Sequence, residues 1–249
     1  MRPESEDGME LELTREQAFA LLFEAHAARQ LLGTGCHLLI ADHGIDGKFD
    51  ALATVWSIGV EKLLKVALGL AALSAGEAWP DGKSFGHNIV HMDGQLRAHL
   101  SDWEARSPQS TWLTGLLRAV HSDPVWPAVL TVLDAYARSG RFAYLDRLAQ
   151  VTEPPQPPRP LWDKVEAAVL STRPDLHATV YATPPVPVPQ FNAALVEVNT
   201  TIAQSLARWW LTVTRVGTFG AYGAQGRRFA PELEPGMVLP ALPRHLIAT

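Results

Sequence analysis

The stretch that most limits what this chain can fold into runs from Phe49 to Leu73. It is apolar on nearly every side, yet it carries Glu61, Lys62 and Lys65 near its middle. A helix that is hydrophobic all round is normally buried, and charges on such a helix are tolerated when they are paired. Glu61 and Lys65 stand four residues apart with the glutamate N-terminal, the favourable order for an ion pair on one helix face. The turn Trp79-Pro-Asp-Gly-Lys83 follows, and then Lys83-Ser-Phe-Gly-His87-Asn-Ile-Val-His91 delivers His87, Asn88 and His91 to the start of the next helix. A connection this short returns the chain antiparallel. Glu61, Lys65, His87, Asn88 and His91 are therefore expected to converge as the binding cluster.

Elsewhere the punctuation is helical. Thr14-Arg-Glu-Gln17 is a capping box, opening a helix expected to bury Phe19, Leu22, Phe23 and His26 and to break at Gly33-Thr-Gly35. Cys36 to His43 then reads as a separate short helix. A helix from about Gly86 passes through Leu96 and Leu100 to Trp103 and stops before Ser107-Pro108. Trp112 to Val120 forms another. Asp123-Pro124 supplies N-cap and first helical residue together for a helix carrying Trp126, Val129, Leu130, Leu133 and Tyr136. Arg141 to Leu148 reads as a terminal turn packed by its aromatics. Five of the nine residues from Thr152 to Pro160 are proline, so 151–190 is expected to be a stiff strap or insertion around a helix from Trp162 to Ser171. Ala178 to Ala182 is its one strand candidate. From Phe191 to Val216 apolar residues step by three or four, and a helix that long must dock on the bundle or on a second copy.

The expected fold is all-α: an acidic disordered lead-in over 1–12, a helical bundle over 13–150, the proline-rich 151–190, a long helix over 191–226 and an irregular tail over 227–249. Net charge is −5, which argues against a general nucleic-acid binder because counterion release needs clustered cations. The acids gather early (Glu4, Glu6, Asp7, Glu10, Glu12) and the arginines late (Arg208, Arg215, Arg227, Arg228, Arg244), a pattern of solvated faces. One cysteine, Cys36, excludes an internal disulfide framework and an all-cysteine zinc site. With no basic-then-apolar leader and no membrane-length apolar run, the expected setting is cytoplasmic, away from membranes.

The segment Ser57-Ile-Gly-Val-Glu61-Lys62-Leu-Leu-Lys65, followed by Phe85-Gly86-His87-Asn88-Ile89 and later Arg141-Phe-Ala-Tyr144-Leu-Asp146, resembles helical proteins of the HEPN superfamily (higher eukaryote and prokaryote nucleotide-binding), in its uncharacterised or phage-defence-type bacterial branches. The resemblance covers roughly 15–150. It implies a helical bundle and, in the usual member, metal-independent RNA cleavage by an Arg-x(4–6)-His element near a dimer interface. This chain departs from that element. Arg29 to His37 is too long; Arg118 to His121 and Arg97 to His99 are too short; Arg173 to His177 misses by one residue. The resemblance thus implies binding or assembly more than catalysis.

His87 and His91, four apart, put two imidazoles on one helix face, as zinc and di-metal sites require, with Glu61 as a third donor across the bundle. No acid lies between them, and Asp93 falls on another face, so the expectation is no metal and no cofactor. Gly-x-Ser-x-Gly and a phosphate-binding loop are absent, and Cys36 beside His37 cannot form an oriented nucleophile–base pair. Trp209 and Trp210 are adjacent and must face different ways, which predicts one exposed ring unless a partner covers it.

The leading expectation is a non-catalytic, HEPN-like helical binding or assembly protein of a bacterial defence or toxin–antitoxin system, acting as a homodimer or with a protein partner. RNA or a nucleotide is the alternative partner. The enzyme alternatives are a ribonuclease with an atypical site drawn from His87, His91 and Arg97, and a metal-dependent bundle enzyme using His87, His91 and Glu61.

Overall fold

The structure is a computed structural model describing residues 10–106 and 111–237. The outer parts of the acidic lead-in and of the C-terminal tail, including Arg244, lie outside the described residues, as does Ser107-Pro108. Among the described residues the chain is all-α, with ten helices and no strand. They are α1 (Arg15–Ile40), α2 (Phe49–Ser74), α3 (Ile89–Arg106), α4 (Thr111–His121), α5 (Val125–Arg138), α6 (Ala143–Leu148), α7 (Trp162–Thr172), α8 (Pro174–Val180), α9 (Val188–Thr218) and α10 (Gly223–Phe229). No described helix is long and apolar enough to cross a membrane.

Two helices organise the rest. The apolar α2 is covered by α1, α3, α5 and α10, while α9 packs on α1, α4, α7 and α8. This burial is why α2 needs no polar face: Trp56, Leu63 and Leu64 are wholly inaccessible. Local signals start several helices. Thr14 accepts from the Gln17 amide at 3.2 Å while Gln17 accepts from the Thr14 amide at 2.9 Å, closing the capping box. Asp123 accepts from the Val125 amide at 2.8 Å at the head of α5.

Four expectations fail for identifiable physical reasons. Gly33-Thr-Gly35 does not break α1, which continues to Ile40. Gly35 serves close approach instead: a Cβ there would lie 2.2 Å from the Trp56 ring of α2. The same docking turns Leu21, Ala25, Ala28 and Leu32 inward and leaves Phe19 and Phe23 exposed. Residues 178–182 form no strand; α8 occupies Pro174–Val180, its start set by a proline in the first turn. Finally, the aromatics after Arg141 are not packed: Phe142, Tyr144, Leu145 and Leu148 are exposed, with Arg141 and Arg147 over two of the rings.

The long C-terminal helix docks on its own chain. Trp209 stacks on Trp126 with centroids 4.3 Å apart and donates to Asp93 at 2.9 Å. Trp210 points the other way and donates to the Leu233 carbonyl at 2.6 Å. Both rings are buried, so they provide no argument for a dimer. Residues 227–233 are helical rather than irregular, and Phe229 and Leu233 join the core. The proline-rich region is likewise tied in through Trp162, which meets Phe49 and Trp56. Glu10 and Leu11 are anchored too: Leu11 donates to the Leu73 carbonyl, and Glu10 accepts from the Ala224 amide at 2.8 Å.

Candidate functional site

The polar cluster sits where α1, α2 and the loop over 75–88 meet. Glu61 and Lys65 lie on the one face of α2 that this loop crosses. Lys65 Nζ donates to Glu61 Oε1 at 2.7 Å and to the Gly82 carbonyl at 3.2 Å. His87 Nδ1 lies 3.0 Å from Glu61 Oε2 and 3.2 Å from Oε1. An ionised carboxylate can only accept, so Nδ1–H is the donor in that contact. The Glu61 side chain is 15% exposed against 60% for His87. One half-buried carboxylate therefore holds both its own helix and the incoming loop.

The loop is shaped for this contact. Asp81 accepts from the Lys83 amide at 3.1 Å and its carbonyl from the Ser84 amide at 2.9 Å. Gly86 has φ of 56°, a left-handed turn that glycine adopts without strain, and this turn precedes His87 directly. Trp79 lies flat against α2 because Gly69 offers no side chain; a Cβ there would meet the Trp79 ring at 2.4 Å.

Between these elements lies a cleft of about 560 Å³, within the range of about 300–1,000 Å³ that small-molecule sites occupy. Its walls are mainly apolar, with Leu21, Ile58, Val66, Trp79 and Phe85 among them, and Glu61, Lys65 and His87 at its polar end. Lys62 of α2 and Glu24 of α1 form an ion pair along one wall. Arg141, from the turn before α6, also lines it.

The structure brings together Glu61, Lys65 and His87. It does not bring Asn88, His91 or Arg97 to the cleft. Asn88 caps α3, accepting from the His91 amide at 3.0 Å, and His91 is exposed on the first turn. Arg97 is held by Asp93 at 2.6 Å beside Trp209. Arg227 lies outside the lining, and Arg141 is the arginine that lines it. No group of three or more His, Cys, Asp or Glu side chains suited to a metal occurs among the described residues, so His87, His91 and Glu61 do not form one. Trp79, Lys62, Glu24 and Arg141 were not readable as site residues, though Ser57 to Lys65, Phe85 to Ile89 and Arg141 to Asp146, the three segments carrying the family resemblance, all contribute to this lining.

Fold and site together define an all-helical protein with an apolar cleft closed at one end by a carboxylate–lysine–histidine cluster. No family model, curated protein or solved structure matches the chain.

Proposed function

We propose that the chain is a non-catalytic helical binding protein that takes a small ligand in the cleft between α1, α2 and the 75–88 loop. The observation that carries this is the cleft itself: a mostly apolar space of small-molecule size, with paired charges and Arg141 set into its walls. Such walls favour burial of an apolar body while few polar groups orient it. Glu61 already receives two donors, which suits a fixed wall better than a reacting acid. The HEPN-like assignment, with a role in bacterial defence or a toxin–antitoxin pair, belongs to the same proposal and draws on three motif segments that share one cleft. Self-association through the exposed Phe142, Tyr144, Leu145 and Leu148 would supply the assembly part.

The test is calorimetric titration with a neutral apolar probe, 2-naphthalenemethanol, against the native chain and Ala20→Trp. Ala20 is exposed on α1 and lines the cleft, so the indole fills it without entering the core. Binding that Ala20→Trp abolishes supports the proposal; no binding, or binding that ignores the substitution, refutes it.

A second function is favoured by one feature. The Glu61–His87 pair holds the imidazole by Nδ1, the arrangement of a histidine oriented as a general base, with Arg141 on the same cleft. This is the ribonuclease alternative with its site moved from His91 and Arg97. Cleavage of single-stranded or structured RNA, lost in His87→Ala, would replace the binding proposal.

A further inference from the structure

The charges lining the cleft do not balance. Lys62, Lys65 and Arg141 line it against the carboxylates of Glu24 and Glu61. Lys62 is taken by Glu24, and Lys65 by Glu61, which also receives His87. Arg141 is the lining cation with no carboxylate partner among the described residues; its guanidinium rests over the Phe142 ring at 5.0 Å. A guanidinium stays charged at all ordinary pH, so the cleft carries a standing positive charge beside apolar walls.

We propose that the ligand of this cleft is an amphiphilic monocarboxylate, with an apolar ring or chain along the walls and its carboxylate on Arg141. The inference rests on the binding-protein reading and gives the ligand class. A ligand cation would meet Arg141 with no unpaired acid to receive it. A neutral ligand would leave the guanidinium unused. The planar fork matches a carboxylate in a two-point contact. One unpaired cation also suits one negative charge, whereas a nucleotide phosphate with its several oxygens would find a single unpaired cation and then Leu13, Ile58, Val66, Trp79 and Phe85. Those same walls suit an apolar body.

The experiment is calorimetric titration of the full chain with four probes: 2-naphthoate, its neutral analogue 2-naphthalenemethanol, its cationic analogue 2-naphthylmethylamine, and AMP. Native protein, Arg141→Gln and Ala20→Trp are compared. Arg141 is exposed, so its replacement leaves the core intact. The native chain is expected to bind naphthoate at least about tenfold more tightly than the alcohol, the size of one charge-assisted contact, and the amine less tightly than the alcohol. Arg141→Gln should reduce the acid's advantage over the alcohol to about twofold or less. An alcohol or amine that equals the acid, an advantage that survives Arg141→Gln, or AMP binding more tightly than naphthoate overturns the inference. If the acid has no advantage but Ala20→Trp still abolishes alcohol binding, the cleft stands and the anion class falls. If no probe binds, or Ala20→Trp changes nothing, both fall.

Discussion

The contact between α1 and α2 can be tested with one substitution made at two glycines. At Gly35 a new methyl carbon would sit 2.2 Å from both Cδ1 and Nε1 of Trp56. The ring cannot retreat freely: it is wholly buried, donates to the Leu32 carbonyl at 3.2 Å and lies 6.3 Å from Trp162. Overpacking of this kind costs about 1–3 kcal/mol, and an overlap this deep belongs at the upper end. Alanine's better helix propensity offsets about 1 kcal/mol. Gly35→Ala should therefore lose about 2 kcal/mol, lowering Tm by about 4–8 °C in a chain of this size. Gly94, exposed within α3, has nothing within 4 Å of its would-be Cβ. Gly94→Ala should gain about 0.5–1 kcal/mol and raise Tm by about 2 °C. Thermal unfolding followed by far-UV circular dichroism reads both. If Gly35→Ala stabilises as Gly94→Ala does, α1 is not packed on Trp56 and the glycines do interrupt it.

Asp93→Ala strips Trp209 of its acceptor and leaves Arg97 unpaired, so urea unfolding should show a loss of about 2–4 kcal/mol; an unchanged midpoint would remove this link between α3 and α9. Glu61→Gln weakens the contacts to Lys65 and His87 and should cost about 1 kcal/mol, since His87 is largely solvated; a more stable variant would show that the cluster does not hold the loop. Burial pushes the Cys36 thiol up to about 12, so at pH 8 it stays protonated and should resist a thiol reagent until urea unfolds the chain; immediate labelling of native protein would contradict its position. Leu148→Glu places a charge on the exposed α6 surface and should leave thermal stability unchanged while reducing self-association in sedimentation; native protein sedimenting as a monomer would refute that contact.

Signals that act within a few residues were legible in the sequence. The Thr14 capping box, the Asp123 cap and the extents of α2 and α7 depend on local hydrogen bonding and apolar periodicity, and these residues carry both. What failed depends on contacts made far along the chain. Gly35 reads as a breaker until Trp56 is opposite it. Phe19 and Phe23 are larger than Leu21 and Ala25, and the close approach of α1 to α2 selects the smaller residues for the interface. Trp209 and Trp210 could both be buried because Trp126 and Asp93 meet one indole and Leu233 meets the other, partners up to 116 positions away. At the site, Glu61, Lys65 and His87 were legible because they lie on one helix and on the loop that leaves it. Arg141 was not, because it arrives from a turn after α5 that only the tertiary packing brings to the cleft.

The central claim is that segments far apart in sequence form one ligand cleft. Amide and indole chemical shifts of isotope-labelled protein, followed during titration with 2-naphthoate, test it most directly. The account predicts perturbations gathered at the Trp79 indole and at Gln17 to Glu24, Ser57 to Val66, Gly82 to His87 and Arg141, with α4, α7 and α8 silent. Shifts centred on α4, α7 or α8, or no shifts at saturating probe, would contradict it.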